Sequence, residues 1–342
     1  LEQVIEYYKD QPETLKEMVG ENPYELKNII EHWVLNPNPD LRIIPTDSIV
    51  ITIDKEAVKR SGMMIAADSI PDVMHLSLKG KRAVYKSEMM MYEMLAQCNW
   101  ERPLYVAITV GKDNYGNLGD YFVREGLADR ITPFNTKKSG RTVDTEKMYD
   151  NLMNRFRYGG LDNPDFYIDE TISRMSYTHR RIFSQLATQL LREGKKEKAQ
   201  NLLKRAEQVL PPTTLPHTFA GGSLDLARAW IQVDNKKQAE AIALPVAKNA
   251  CEYIDWYLSL SDSKLEREEQ ECMYYLYQLH RASEVLREAT SSQAAGMVQK
   301  LDFYNKVLQG RLYGTQNIYQ QMGTDVSNMM VANPEASEEE GE

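Results

Sequence analysis

Residues Phe183 to Pro211 read "FSQLATQLLREGKKEKAQNLLKRAEQVLP", two stretches of helical period on either side of one glycine. Phe183, Leu186, Ala187 and Leu190 share a face of the first stretch. Ala199, Leu203 and Ala206 share a face of the second, with Gly194 at the turn and Pro211 past the end. Large and small residues in this order have the tetratricopeptide spacing: Ala187, Ala199 and Ala206 let paired helices approach while the larger residues fill between them. Forty residues on, Leu226, Ala227, Trp230, Ala239, Ala243 and Val246 repeat the order more weakly. There, Pro245 is expected to interrupt the second helix and no glycine marks the turn. A third pair, "ECMYYLYQLHRASEVLREA" with "AAGMVQKLDFYNKVLQGRLY", has the helix lengths without the motif. One repeat cannot bury its own face, so three consecutive pairs predict a stacked helical domain over residues 171–325.

Upstream of this domain the period changes. Leu26, Ile29, Ile30 and Trp33 form an apolar stripe within the helical region expected over residues 1–35. "SIVITID" and "VMHLSLKG" alternate as strands. Ser87 is the expected N-cap of a helix with Met91, Met94 and Leu95 on one side. "RPLYVAITV" is apolar throughout and predicts a central strand covered on both faces. "GDYFVREGLADRITPF" reads as a helical turn closed by Gly126 and one further strand. The fold class is therefore α+β. A small α/β layer with N-terminal helices occupies residues 1–143, and a connecting helix capped by Asp144 and a linker occupy 144–170. The helical domain follows, and the acidic segment over 326–342 is expected to be disordered.

A net charge of -9 with scattered Lys and Arg gives no field for a phosphate backbone, so nucleic acid is not an expected partner. The longest apolar runs fall far short of the roughly 20 residues that span a bilayer. The chain opens on Leu1 and reads as a piece of a longer protein. Cys98, Cys251 and Cys272 are expected to be buried free thiols.

Catalytic templates fail one by one. Gly111 and Gly116 have the first spacing of a Walker loop, but Asn117 and Leu118 stand where Lys and a hydroxyl are needed. The loop reads instead as a turn, with Asp113, Asn114 and Tyr115 as its candidate ligand-facing residues. The five histidines are scattered, so no metal site is expected. Asp162, Asp165, Asp169 and Glu170 read as helix caps and solvated acids, and Ser223 as a helix N-cap. The tyrosine-rich "MYYLYQLH" reads as core, or as an aromatic surface for sugar or protein.

The run "NWERPLYVAITVGKDNYGNLGDYFVREGLADRITP", with "VDTEKMYDNLMNRFRYGGLDNPDFYIDE" and the repeat segment behind it, resembles the C-terminal soluble part of a bacterial family of polytopic membrane proteins. That family is a domain of unknown function, similar to protein O-mannosyltransferases of the GT-C type. Its most specific motif here is Asn99, Trp100, Arg102 and Pro103. The resemblance implies a periplasmic setting at the inner membrane, catalytic acids in loops between N-terminal transmembrane helices, and a lipid-linked sugar donor. It places no catalytic residue and no cofactor in this chain, which is then an accessory domain whose partners are its own transmembrane part and an acceptor protein or peptide. Arg181, Ser184, Thr188 and Arg192, joined by Arg228 and Gln232, are the expected lining of the repeat groove. The alternative is a free-standing α/β protein binding a small molecule or nucleotide sugar at the Asp113 to Gly119 loop.

Overall fold

The computed structural model describes residues 2–313, so the expected acidic tail lies outside the described residues. The chain divides into two compact units, Leu1–Asn151 and a second that begins at Leu152. The class is α+β, with small sheets in the first unit and a long run of helices in the second.

The first unit opens with α1 (Glu2–Lys9) and α2 (Pro12–Val19), then α3 (Leu26–Asn28), which runs on into a π-turn over Ile29–Val34. The helical region is divided into separate helices, because Pro12 starts α2 and Gly20 (φ 88°) ends it. Leu26, Ile29, Ile30 and Trp33 are buried as their spacing predicts. Strand β1 (Ser48–Thr52) is followed by α4 (Lys55–Arg60), and β2 (Val73–Ser77) pairs antiparallel with β1, Ile51 opposite Met74. After α5 (Lys86–Cys98) come β3 (Tyr105–Ala107), β4 (Phe122–Arg124) and β5 (Ala128–Ile131), with β5 central and both neighbours antiparallel to it. Short helices α6 (Thr136–Ser139) and α7 (Thr145–Asp150) close the unit.

Three expectations fail here. The "RPLYVAITV" strand is three residues at a sheet edge with both ends exposed, not a buried central strand. The Ile108 N–H donates to the Leu127 carbonyl at 3.2 Å and the Ile131 N–H to the Leu104 carbonyl at 3.0 Å, while Leu104 and Val106 pack half-buried against the core. The α5 cap is Tyr85 and not Ser87, since Glu88 at the third position reaches back to the Tyr85 N–H at 3.1 Å. Consequently Tyr92, Leu95 and Ala96 face inward while Met94 is exposed. "FVREGLADRI" is a hairpin rather than a turn and one strand, opened by Gly126 at φ 144°.

The second unit holds α8 (Glu170–Arg192), α9 (Lys196–Val209), α10 (Ser223–Gln232), α11 (Lys236–Leu258), α12 (Asp262–Arg267), α13 (Glu269–Glu288) and α14 (Ala294–Leu308). Three helix pairs turn alike: α8 with α9, α10 with α11, and α13 with α14. Each turns on one left-handed residue, Gly194 (φ 73°), Asp234 (φ 66°) or Thr290 (φ 56°). The next amide then donates to the carbonyl five residues back: Lys195 to Leu190 at 2.8 Å, Asn235 to Trp230 at 2.9 Å, Ser291 to Leu286 at 2.9 Å. This is the Schellman closure, which satisfies carbonyls that a helix end leaves open. Every apolar position named in the first two pairs is buried. Pro245, however, lies inside an unbroken α11, its missing bond tolerated because Ala243, Val246 and Ala247 around it are buried.

Candidate functional site

In the first unit the polar groups gather at the start of α5. Glu88 is 6% exposed; one carboxylate oxygen accepts from the Tyr85 N–H and the other from the Lys81 ammonium. Burial raises its carboxyl, but the bonds from Lys81 and Tyr85 outweigh that and leave it below the usual carboxylate range. One turn further on, the Tyr92 hydroxyl is buried with no hydrogen-bond partner among the described residues. Burial, and then the charge of Glu88, push it up to about 12.

The glycine loop packs over this cluster as a pair of 3-10 turns, Lys112–Asn114 and Gly116–Tyr121. Gly116 has φ 54°, and a Cβ there would stand 3.0 Å from Glu88 Oε1 and 3.2 Å from both Lys81 Nζ and Tyr92 Oη. A side chain at this position would press on the cluster, and its positive φ favours glycine in any case. The loop is held to the carbonyls of β2, by Asn117 to Ser77 and by the Tyr121 hydroxyl to His75 at 2.6 Å. Asp113 and Asn114 line a cleft of about 350 Å³ with Lys81, Arg82, Ala83, Tyr85, Ser87 and Glu88. Tyr115 is not among them; its ring packs on Phe122 at 4.8 Å.

A second polar knot fixes the β4–β5 hairpin. Glu125, 5% exposed, accepts from the Tyr105 hydroxyl at 2.6 Å and from Lys147 at 3.0 Å, and Arg130 lies 3.6 Å away. Arg130 also donates to the Ser61 carbonyl at 2.9 Å. The carboxylate is saturated by these partners, which makes it an anchor rather than a reactive group.

In the second unit the predicted groove residues behave differently from one another. Ser184 is buried and donates to the Arg181 carbonyl at 2.9 Å, and Thr188 donates to the Ser184 carbonyl at 2.9 Å. Both hydroxyls thus serve their own helix. Arg181 crosses Gly222, whose Cβ would come within 2.7 Å of Arg181 Cγ, and it reaches the Ala220 carbonyl at 3.4 Å. Arg192 and Gln232 are exposed. Arg228 is half-buried between Asp225 (4.0 Å), Glu284 (3.6 Å) and Glu288 (3.9 Å), and Arg281 pairs with Glu284 at 3.8 Å. Burial raises the Asp225 carboxyl, against the pull of Arg228 and Arg281. The acids on α13 were invisible to the repeat pattern, since the third pair lacks its motif.

Ser223 is the first residue of α10 and not its cap. Its hydroxyl accepts from the Thr218 N–H at 3.2 Å and from the buried Arg180 at 3.3 Å. Arg180 also donates to the Leu215 and Pro216 carbonyls, so it pins the α9–α10 connection to α8. Asp169 does cap α8, accepting from Ile172 at 2.7 Å. Among the described residues, no three His, Cys, Asp or Glu side chains are grouped to hold a metal ion, and no helix is long and apolar enough to cross a membrane.

Residues 2–149 match the family model of TMEM260-associated domain 2. The match is consistent with a domain of unknown function related to TMEM260. The matched span coincides closely with the first unit. No curated protein and no solved structure matches the chain.

Proposed function

We propose that the chain is an accessory, non-catalytic part of a larger membrane protein of glycosyltransferase type, facing the periplasm. In this reading the first unit docks on the transmembrane part, and the helical pairs engage an acceptor peptide or a protein partner in tetratricopeptide fashion. The observation that carries the reading is the match of residues 2–149 to TMEM260-associated domain 2. The helical face supports it: Arg181 and Arg192 lie on α8, while Arg228 and Arg281 alternate with acids across α10 and α13. A face of alternating sign suits an extended polar peptide, whose backbone and charges find donors and acceptors in turn.

The test has two arms. The gene upstream of Leu1 is expected to encode several apolar spans of roughly 20 residues; a start codon directly before Leu1 overturns the membrane setting. Fluorescence anisotropy with labelled acceptor-type peptides is expected to show binding that an Arg181→Ala/Arg192→Ala/Arg228→Ala variant weakens at least about tenfold, as for lost charged contacts. Binding unchanged in that variant sinks the groove.

A further inference from the structure

We propose that the aromatic ledge where α11 meets α13, formed by Tyr253, Trp256 and Tyr275 and rimmed by Glu252, Glu268 and Glu271, docks a segment of a protein partner that presents arginine. This goes beyond the groove reading, because Tyr275 stands nine positions before Glu284. That is about two and a half helical turns, which puts the ledge on the opposite face of α13 from the groove acids.

The rings form one connected run. Tyr253 and Tyr275 stack across the two helices with centroids 4.3 Å apart and planes within 9° of parallel. Tyr257 lies 6.0 Å from Tyr275, and Trp256 meets Tyr257 edge-on at 4.7 Å. Tyr257 is buried and anchors the run, while Tyr253 is 43% and Trp256 54% exposed. The other three tryptophans, Trp33, Trp100 and Trp230, are all buried. Rings held by stacking on a helix pair lose little freedom when a partner covers them, so they suit the centre of an interface.

Charge decides the occupant. Glu252 lies four positions before Trp256, and Glu271 four before Tyr275, so each exposed carboxylate borders a ring on its own helix. Burial, and then the charges of Glu271 and Glu268, raise the Tyr257 hydroxyl, which places both acids at the ledge. Among the described residues, none of the three glutamates is held in an ion pair. Aromatic faces are electronegative too, so rings and carboxylates together attract a cation. A guanidinium uses both at once, its flat face on a ring and its fork on a carboxylate, whereas an ammonium is a point charge without a face to stack. A second copy of the chain, docked through the same patch, would set these carboxylates against their own kind. A neutral glycan would stack on the rings and gain nothing from the charge.

Titration of the whole chain with a labelled peptide of alternating arginine and glycine tests this, against lysine–glycine and glutamate–glycine peptides and maltotriose. Trp256 emission reports the ledge, and anisotropy of the label reports affinity. The arginine peptide is expected to quench Trp256 saturably and to bind more tightly than the lysine peptide. Its affinity should fall at least about tenfold in Trp256→Ala/Tyr253→Ala and in Glu252→Gln/Glu271→Gln. The second variant keeps every ring and changes only exposed side chains, so it is expected to melt with the parent and to separate lost binding from lost folding. The proposal is overturned if the arginine peptide does not bind, if either double variant binds it as the parent does, or if the lysine peptide binds as tightly. Quenching by the glutamate peptide or by maltotriose, or self-association that Trp256→Ala disperses, also overturns it.

Discussion

The two units reach order by different routes. The second repeats one local solution, a Schellman turn, three times, and buries helix faces whose spacing is written in the chain. The first has no such period. Its strands are three to five residues long, and its loops are held by side chains that cross long stretches of sequence: Asn117 to Ser77, Tyr121 to His75, Arg130 to Ser61, Lys147 to Glu125. Local repetition needs little besides backbone chemistry and an apolar stripe, whereas a loop-built unit depends on individual polar anchors.

If that contrast is right, removing one anchor should damage the first unit more than any turn change damages the second. Glu125→Ala strands Arg130 and Lys147 beside a buried cavity, and is expected to destabilise the first unit by about 4 kcal/mol. Hydrogen exchange read by mass spectrometry should show the loss over β3 to β5 while α10 and α11 keep their protection. An evenly spread loss would break the comparison.

The second unit carries one exception to its own rule, the strap between α9 and α10 that Arg180 holds. His217 in this strap is held down to about 4 by burial and then by the charge of Arg180, from an ordinary value of 6.5. A depressed imidazole stabilises fully above pH 6.5, and that stability is lost as pH falls toward 4, because the unfolded chain binds the proton first. Acidification across this window is expected to cost the second unit on the order of 3 kcal/mol, with His217→Gln flattening the profile. His179, lowered by burial, contributes in the same direction, so a small residual slope should remain.

The finest comparison is within the repeated turn. Thr290 and Gly194 hold equivalent left-handed positions, where a β-branched side chain is strained and glycine is not. Thr290→Gly is expected to stabilise by about 0.5–1 kcal/mol and Gly194→Ala to destabilise by about 1 kcal/mol, both measured by denaturant unfolding. The same sign for both would show that the turns are not equivalent.

The family match now joins the resemblance read from "NWERPLYVAITV", since it spans that stretch. Within the candidate sites, Asp113 and Asn114 were legible as turn residues of a candidate ligand loop. Lys81, Glu88 and Tyr92 were not, because nothing in their local sequence shows that a loop over twenty residues away will close on them. On the helical face, Arg228 was legible from the second pair. Its acidic partners Glu284 and Glu288 were not, for they lie on a helix that carries no motif.

Sequence alone determined the parts whose signal is periodic: the stripes of α8 to α11, the alternating β1 and β2, and the capping aspartates at 144 and 169. Period and capping are properties of neighbours along the chain, so they can be read there. Tertiary structure alone decided that Trp100 and Asn99 end α5 in the left-handed region, that β3 lies at an edge, and that Pro245 continues a helix. It also decided that a glycine loop without a phosphate motif closes over a buried, unpaired hydroxyl. Each of these outcomes is set by contacts between residues distant in sequence, whose packing and desolvation outweigh local preference.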